Sequence, residues 1–489
     1  MPTEVARVAR EHAPVELTPQ ARERNTGAAR ALDQLIAAGK PIYGVTTGVG
    51  ALRDRPIDAD ERAGYSRRLL RSHACGAGRV VPVGLVRAAM VTRANQIGAG
   101  GAGISAGLLD ALVAALNANL TPFTRELGSL GTGDLTALSD IALALLGEGQ
   151  VWQADELVDA GPPIAALGIA PATLGPRDGL AFISSNAVSV GHAALIVVDV
   201  DALLQAWLSV AALSFEAAAA DPIALDPRIH SAVHRAGQSV IAAEMRARLA
   251  GLDERTARPG ALGIQDPYPF RALPQVDGAV HDALRALRET VIHELNFAGE
   301  NALIVAGEPA ALPNGNPHAA PLANAIDNLR TALAQSAALI AARVSALLDP
   351  SLTGLPAFLA ERPGPESGAL VIEYTAHAAA AEVRSLVTPV AAQTVSVSRG
   401  VESHSSLAPI AARRAHEAVD ALQVLVATEL VVAMRALRVA GHEPVGAGSR
   451  PLYEAASRCL DPDLQDRPLH PDIESARLLI SEGWEAGAA

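Results

Sequence analysis

The sequence predicts an all-α fold, and three observations support this prediction. Eight long segments are rich in Ala, Leu and Arg, with few helix breakers in their interiors. The loops between such segments carry turn residues, as in GAGGAG at 98–103 and RPGPESG at 362–368. No period of about 20 to 50 residues repeats, so a solenoid is disfavoured. The predicted helices are 87–95, 110–119, 135–146, 188–216, 278–293, 323–348, 374–386 and 408–439.

Composition excludes several classes of protein and partner. The net charge of -13 disfavours nucleic-acid binding, which needs clustered cations. Cys75 and Cys459 are too few for a disulfide framework or a thiolate metal site, and they fit a reducing cytoplasm. The N-terminus lacks the apolar core of a signal peptide. The apolar stretch 192–220 carries Asp199 and Asp201, so we expect a buried helix rather than a membrane span.

Lysine usage narrows the chemistry. Lys40 is the only lysine in the chain. A pyridoxal enzyme holds its cofactor through a lysine Schiff base. Unless Lys40 fills that role, this class of amino-acid enzymes is excluded.

Three short motifs have weak functional readings. Gly98, Gly100 and Gly103 match G-x-G-x-x-G, and 103–107 matches G-x-S-x-G, but a helix-like segment stands where each motif needs a strand. His230 and His234 are spaced like two metal ligands on a helix, yet no third ligand is evident. We therefore predict no dinucleotide site, no nucleophile elbow and no metal.

A larger set of motifs resembles one family. PIYGVTTGVG at 41–50 and GSLGTGDLTALSDIALALLGEG at 128–149 resemble the aromatic amino acid ammonia-lyase and aminomutase family, which includes histidine ammonia-lyases. Other matching motifs follow in the family's order. They are LLRSHACGAG at 69–78, DPRIH at 226–230, QDPYPFRALPQVDG at 265–278, NGNPH at 314–318 and VESH at 401–404.

The resemblance implies a fold and an assembly. The fold is an elongated central helical bundle, and the assembly is a homotetramer whose active sites share loops from neighbouring chains. The implied order is an N-terminal part at 1–185 with the electrophile loop, a central bundle at 186–440 and a C-terminal segment at 441–489. The implied partners are a small amino acid and further copies of the chain, with no external cofactor.

The family's chemistry depends on a tripeptide that this chain alters. In the family, Ala-Ser-Gly cyclises and loses two waters to give a methylidene-imidazolone, an electrophile that activates the weakly acidic substrate. This chain has Gly131-Thr132-Gly133 instead. Dehydration of Thr132 would give an ethylidene group, whose methyl hinders attack. Three outcomes are open: a methylated protein-derived imidazolone, a linear loop serving another reaction, or a degenerate site in which Thr132 only bonds locally.

The resemblance also implies roles for single residues. Tyr43 matches the tyrosine that takes the β-proton, a side chain suited to acid-base work. Arg271 matches the arginine that binds the substrate carboxylate through its planar fork. Tyr268 is expected in catalysis and Gln265 in binding beside the reactive group. The alternative for Tyr43 is a buried aromatic with a bonded hydroxyl. For Arg271 it is a surface ion pair, and for Gln265 and Tyr268 it is capping of the turn.

Two residues indicate the substrate's side chain. His73 stands where histidine- and tyrosine-selective members have a histidine, and Glu402 matches a glutamate of the histidine-selective branch, with His404 two residues later. Together they predict an imidazole-like or cationic side chain. Ser184 and Asn296 complete the expected substrate-binding set.

Several positions depart from the family's pattern. The asparagine that contacts the electrophile falls at Ser184, and Asn186 comes two positions late. Asp-Asn-Pro becomes Glu-Asn-Ala at 300–302, an aromatic becomes Pro317, and a phenylalanine becomes Val49. These changes predict a shifted substrate or reaction.

Two hypotheses follow from the sequence. The first is an ammonia-lyase or aminomutase that acts on a histidine-like or polar aromatic amino acid, with an electrophile-free elimination as a variant. The second is a binding protein that kept the fold and lost catalysis. The joint presence of Tyr43, Gln265, Tyr268, Arg271 and Glu402 favours the enzyme.

Overall fold

A computed structural model describes residues 1–168, 174–252 and 264–484. The end of the predicted C-terminal segment, 485–489, lies outside the described residues. The helical prediction is confirmed, because every predicted segment lies in or overlaps a helix. The helices are α1 Pro2–Arg10, α2 Pro19–Ala37, α3 Arg62–His73, α4 Val83–Ala99, α5 Ala106–Asn117, α6 Leu135–Leu145, α7 Gly161–Ala166, α8 Asp178–Ile183, α9 Ala187–Ala217, α10 Pro227–Ser231, α11 Ala236–Arg248, α12 Tyr268–Arg271, α13 Leu273–Asn296, α14 Ala320–Leu348, α15 Pro350–Thr353, α16 Ile372–Ser385, α17 Ala408–Ala440, α18 Ser449–Cys459 and α19 His470–Glu482.

Short strands add a feature that the all-α prediction lacks. They are β1 Ala77–Val80, β2 Thr121–Pro122, β3 Arg125–Leu127, β4 Gln150–Gln153, β5 Glu156–Asp159, β6 Leu303–Val305 and β7 Ala310–Leu312. All pair antiparallel, as β1-β3, β2-β4-β5 and β6-β7. The β4-β5 hairpin turns at Ala154 and Asp155, both at positive φ. Strands of two to four residues are too short to show an alternating pattern in sequence.

The chain divides into two compact units. Unit 1 consists of Met1–Val198, Leu287–Ile326 and Pro389–Arg413. Unit 2 consists of Asp199–Ala286, Asp327–Thr388 and Arg414–Ala489. The sequence boundaries at 185 and 440 stay predictions.

Unit 1 is organised around α4, which is buried along most of its length. Arg87 on this helix is 1% exposed, and its guanidinium donates to Val8 O and Leu116 O. These carbonyls lie near the ends of α1 and α5, where helices leave acceptors unsatisfied. Burial lowers the pKa of Arg87. One side chain thus joins three helices of the unit.

Two helical stretches are long and apolar enough to cross a membrane by length and composition. They are Asp178–Ala217 and Ala320–Leu348, whose apolar windows are 72% and 61% buried. Core helices of soluble proteins pass the same test, so this finding is weak support for a membrane span. The buried helix expected at 192–220 matches the first stretch.

Candidate active site

The Gly131-Thr132-Gly133 loop has a backbone that suits glycine at both ends. It lies just before α6. Gly131 has φ 80° and Gly133 has φ 121°, a region that residues with a Cβ rarely adopt. Both glycines are buried, whereas Thr132 is half-buried. The glycine pattern therefore holds Thr132 at the accessible point of a buried loop.

Two donors from distant parts of unit 1 converge on the Gly131 carbonyl oxygen. Ser406 Oγ donates at 2.8 Å, and the Ala319 N–H donates at 3.1 Å. Beside them, Leu407 N donates to Leu130 O at 2.8 Å. Ala319 directly precedes α14, and Ser406 lies two residues before α17. The starts of two long helices thus fix the loop and polarise its carbonyl group.

Asn186 holds the other end of the loop. The Gly133 N–H donates to Asn186 Oδ1 at 3.0 Å, and Asn186 Nδ2 donates to Pro317 O. Asn186 is 4% exposed. Ser184, the position predicted for this contact, ends α8 and donates its N–H to Leu180 O. The turn after α8 thus gives Asn186 the contact that sequence reasoning expected two positions earlier.

Asp134 anchors the loop to the start of α9. Its carboxylate is fully buried and accepts from Ser189 N at 2.7 Å and from Ser189 Oγ at 3.0 Å. Its N–H donates to Ser185 O at 2.7 Å. Burial raises the pKa of Asp134 to about 6, against these hydrogen bonds, which lower it. The residue after Gly133 is therefore rigidly held.

A small cleft borders Asn186. Its lining residues are Arg93, Gln96, Ser184, Ser185, Asn186, Glu294, Phe297, Gly299, Glu300 and Pro317. Arg93 and Glu300 form a fully buried ion pair at 3.0 Å. Burial raises the pKa of Glu294 to about 7. Glu300, a departure from the family's aspartate, is thus matched by a buried cation.

Tyr43 lies in the glycine-rich turn that follows Ile42. Its Oη accepts from the Gly50 N–H at 2.9 Å. Burial raises the pKa of Tyr43, the Gly50 hydrogen bond lowers it, and the charge of Glu402 raises it further. Arg53 acts in the opposite direction. The phenol is therefore oriented by the backbone and lies within the field of Glu402.

A second segment packs against this turn. Ser398 Oγ accepts from the Ala51 N–H at 3.0 Å, and Val397 N donates to Glu402 O at 2.9 Å. A Cβ at Gly50 would lie 2.6 Å from Ser398 Oγ. Glycine at this position allows the segment that carries Glu402 to approach the segment that carries Tyr43.

Two histidines lie beside the Gly131 donors. His318 Nε2 and His404 Nδ1 are 2.9 Å apart, and their ring centroids are 5.0 Å apart. His318 immediately precedes Ala319, and His404 lies two residues before Ser406. Their hydrogen bond connects the two segments that supply donors to the loop.

Two predicted binding residues make local hydrogen bonds. His73 ends α3, and its Nδ1 lies 2.9 Å from Leu69 O. Asn296 ends α13, donates to Ile292 O at 2.7 Å and accepts from Asn95 at 3.1 Å. Their roles in substrate binding stay predictions.

The remaining predicted residues belong to unit 2. Gln265 is exposed, and Tyr268 and Arg271 begin and end α12. The Arg271 guanidinium lies over the Tyr268 ring, 4.2 Å from its centroid. Arg271 Nε is buried, with no acceptor among the described residues. Such a donor is suited to a ligand carboxylate.

The weak motifs have structural roles. Helix α4 contains Gly98 and ends at Ala99, just before Gly100, and Ser105 is the N-cap position of α5. His230 bonds to Ala224 O, and His234 lies beyond the end of α10. Within the described ranges, no cluster of three or more His, Cys, Asp or Glu side chains could hold a metal.

The loop fits ring closure of the family's kind. Closure needs the Gly133 nitrogen as nucleophile and the Gly131 carbonyl carbon as electrophile. The structure gives the carbonyl oxygen two donors and gives the Gly133 N–H an acceptor in Asn186. Thr132 supplies a β-hydroxyl that can leave as water. The residues that would hold an imidazolone here are Ser406, Ala319 and Asn186.

Comparisons with known proteins identify the family of this chain. The family profile described as aromatic amino acid lyase matches residues 1–458. A histidine ammonia-lyase of Symbiobacterium thermophilum is 36% identical over 98% of this chain and 95% of its own length. The ergothionase of Treponema denticola, solved with desmethyl-ergothioneine sulfonic acid, superposes with a TM-score of 0.94 at 29% identity, over 99% of this chain and 97% of its own. The phenylalanine aminomutase of Pantoea agglomerans superposes with a TM-score of 0.94 at 27% identity, over 98% and 97%.

The fold and the site define a helical carbon-nitrogen lyase. The chain belongs to the aromatic amino acid lyase family, and the predicted resemblance is confirmed.

We expect Gly131→Ala to destabilise the protein more than Gly149→Ala. Both glycines have φ near 80°, at 80° and 81°, but a Cβ at Gly131 would lie 2.0 Å from Ser406 Oγ, whereas none lies within 4 Å at Gly149. The left-handed backbone costs about 1 kcal/mol in either variant, and crowding adds roughly 1–3 kcal/mol in Gly131→Ala. Denaturant unfolding measures the difference. Equal losses of stability would contradict the crowded loop.

We expect Glu402→Gln to lower the pKa of Tyr43 and Arg53→Gln to raise it. The negative charge of Glu402 raises this pKa and the positive charge of Arg53 lowers it, so removing either charge reverses its effect. Ultraviolet titration of phenolate, with Tyr43→Phe subtracted, measures both shifts. Shifts of the titration in the same direction in the two variants would contradict these opposing effects of Glu402 and Arg53 on Tyr43.

Proposed function

We propose that this chain eliminates the amine from a histidine-like amino acid, with Tyr43 as the base. The observation that carries the proposal is the Tyr43 hydroxyl, oriented by Gly50 and lying in the field of Glu402. The similar histidine ammonia-lyases act, by name, on histidine, which supports a substrate with an imidazole ring.

The proposed step starts with the β-proton. The Tyr43 phenolate accepts this proton, the C–H electron pair forms the Cα=Cβ double bond, and the C–N electron pair leaves with nitrogen. Burial and Glu402 raise the pKa of Tyr43, so phenolate is scarce before substrate binds. Turnover therefore depends on an event that lowers this pKa.

Substrate binding can provide that event. An imidazole N–H, or a protonated imidazolium, is a suitable donor to the Glu402 carboxylate. Pairing with a cation offsets the negative charge that raises the pKa of Tyr43. A histidine-like side chain would thus both occupy the pocket and favour formation of its base.

Arg271 is proposed to bind the substrate carboxylate. Its buried Nε lacks an acceptor among the described residues, and its stacking over Tyr268 fixes the guanidinium plane. The family resemblance implies that neighbouring chains share loops. We therefore propose a cytoplasmic homotetramer in which Gln265, Tyr268 and Arg271 complete the site of another copy.

The 131–133 loop is proposed to form the protein-derived imidazolone. This group would supply an electrophile that makes the amino group a better leaving group. Ser406, Ala319 and Asn186 hold the atoms between which the ring would close. The imidazolone would carry a methyl from Thr132 on its exocyclic carbon.

A second candidate follows if the 131–133 loop stays linear. The linear loop already satisfies the Gly131 oxygen and the Gly133 nitrogen, and the Thr132 methyl would hinder attack on an imidazolone. A histidine betaine has a quaternary ammonium that leaves as a neutral amine without an electrophile. The structural similarity to an ergothionase, which degrades ergothioneine, favours this substrate class if the loop stays linear.

The mass of the peptide that contains Gly131-Thr132-Gly133 decides between these candidates. We expect a deficit of two waters, with conversion of L-histidine to an imidazolyl-acrylate detected by its absorbance. Thr132→Ala is the matched variant, because it lacks the hydroxyl that would leave as water. Its peptide should therefore lose one water fewer than the wild-type peptide. Full mass with turnover of Nα-trimethylhistidine would establish the second candidate. Full mass without turnover of either compound would contradict both.

A further inference from the structure

A buried ion pair in unit 2 lies directly behind the α12 turn. Arg343 and Glu429 are both fully buried. Arg343 Nε and Nη2 donate to the two Glu429 carboxylate oxygens at 2.8 and 3.1 Å. Ser214 Oγ donates to Glu429 Oε1 at 2.7 Å. The carboxylate is thus fixed in position by three hydrogen bonds.

The remaining nitrogen of the Arg343 guanidinium contacts the turn. Arg343 Nη1 donates to Pro269 O at 3.2 Å. Pro269 lies in the turn between the residues of the stacked pair, Tyr268 and Arg271. The same turn buries Phe270, whose ring packs edge-to-face against the Phe215 ring with a centroid distance of 5.3 Å.

The turn therefore has an inner side and an outer side. Phe270 and Pro269 are buried, whereas Tyr268 is 64% exposed. At the start of the segment, Asp266 accepts from the Asp221 N–H at 2.7 Å, so a second anchor lies four residues from Phe270. The backbone is held from within, while the Tyr268 side chain faces outward.

Stability alone does not account for this ion pair. Buried ion pairs can often be replaced by apolar residues of similar volume without loss of stability, because desolvation offsets their attraction. The planar Arg343 guanidinium does have a fixed orientation, because all three of its nitrogens donate hydrogen bonds here. The structure of the network thus indicates a role in fixing geometry.

We propose that Arg343 and Glu429 are positioning residues that hold the Tyr268–Arg271 turn in the orientation in which Arg271 binds a carboxylate. The inference about Arg271 rests on the proposed function, whereas the anchoring of the turn does not. Neither residue contacts substrate in this proposal.

The test uses the full chain with the double variant Arg343→Met/Glu429→Leu. This variant removes both charges of the pair, and the buried Asp277, whose pKa Arg343 lowers against the effect of burial, can take up a proton once that cation is gone. We therefore expect the variant to fold with a modest fall in melting temperature. Its matched control is Asp327→Leu/Arg330→Met, which removes another buried pair on α14, one whose arginine donates to Leu386 O rather than to the turn.

Amide hydrogen exchange measures directly how firmly the Tyr268–Arg271 turn is held. The Phe270 and Ala272 amides donate to Pro267 O and Tyr268 O within the turn. We expect their exchange to accelerate at least about tenfold in the first variant and to stay unchanged in the control, because only the first loses the Pro269 contact. Unchanged exchange in a folded double variant would overturn the proposal.

Ligand affinity measures whether the turn's orientation matters for binding a carboxylate. Imidazolyl-acrylate and 4-methylimidazole differ in the carboxylate that Arg271 would bind. We expect the first variant to weaken only imidazolyl-acrylate, about tenfold, the usual effect of losing one charge-assisted hydrogen bond. Equal weakening of both probes would overturn the role in carboxylate binding. If the wild type binds neither probe, the proposed substrate class is wrong, while hydrogen exchange still decides the anchor.

Ser214→Ala is the second variant if the double variant does not fold. It removes only the hydroxyl that donates to Glu429. We expect a smaller acceleration of exchange in the same two amides. Acceleration spread equally over unit 2 would instead indicate a general structural role.

Discussion

The candidate site depends on the way the Gly131 carbonyl is held. Its oxygen accepts from Ser406 and Ala319, which lie 275 and 188 positions further along the chain. Because these donors stand at the starts of α17 and α14, two long helices are tied to one loop. The same contacts bring together the segments that carry His404 and His318. Glu402 lies four residues before Ser406, in the segment that binds the loop.

The chemistry of the site follows from a balance at Tyr43. Its phenol is partly buried, which disfavours the charged form, yet the Gly50 N–H stabilises that form. Glu402 adds a negative charge that a cationic substrate can neutralise. The proposed base therefore stays protonated until substrate binds. In both proposed reactions, with the amine activated by an imidazolone or by its own quaternary charge, we propose that the first proton transfer uses Tyr43.

Much of the fold could be predicted, because its helices are long and their breakers cluster in loops, and the family motifs identified Tyr43, Glu402 and the 131–133 loop. The short strands could not, since two to four residues show no period. Alignment placed the loop's asparagine at Ser184, but the turn after α8 brings Asn186 to Gly133. Ser406 and the Arg343–Glu429 pair were missed because such contacts join positions far apart in sequence.

Comparing Tyr43→Phe with Tyr65→Phe is the most direct test of the central claim. Tyr65 is a suitable control because it is also partly buried and lies close enough to Tyr43 for the charge of Tyr43 to raise its pKa. The account predicts that Tyr43→Phe lowers kcat by about 10²–10⁴-fold, the usual contribution of a general base, while Tyr65→Phe stays within about twofold of wild type. Both variants should stay folded, with a slightly lower melting temperature in Tyr43→Phe, which loses the acceptor of the Gly50 N–H. Full activity in folded Tyr43→Phe would contradict the account.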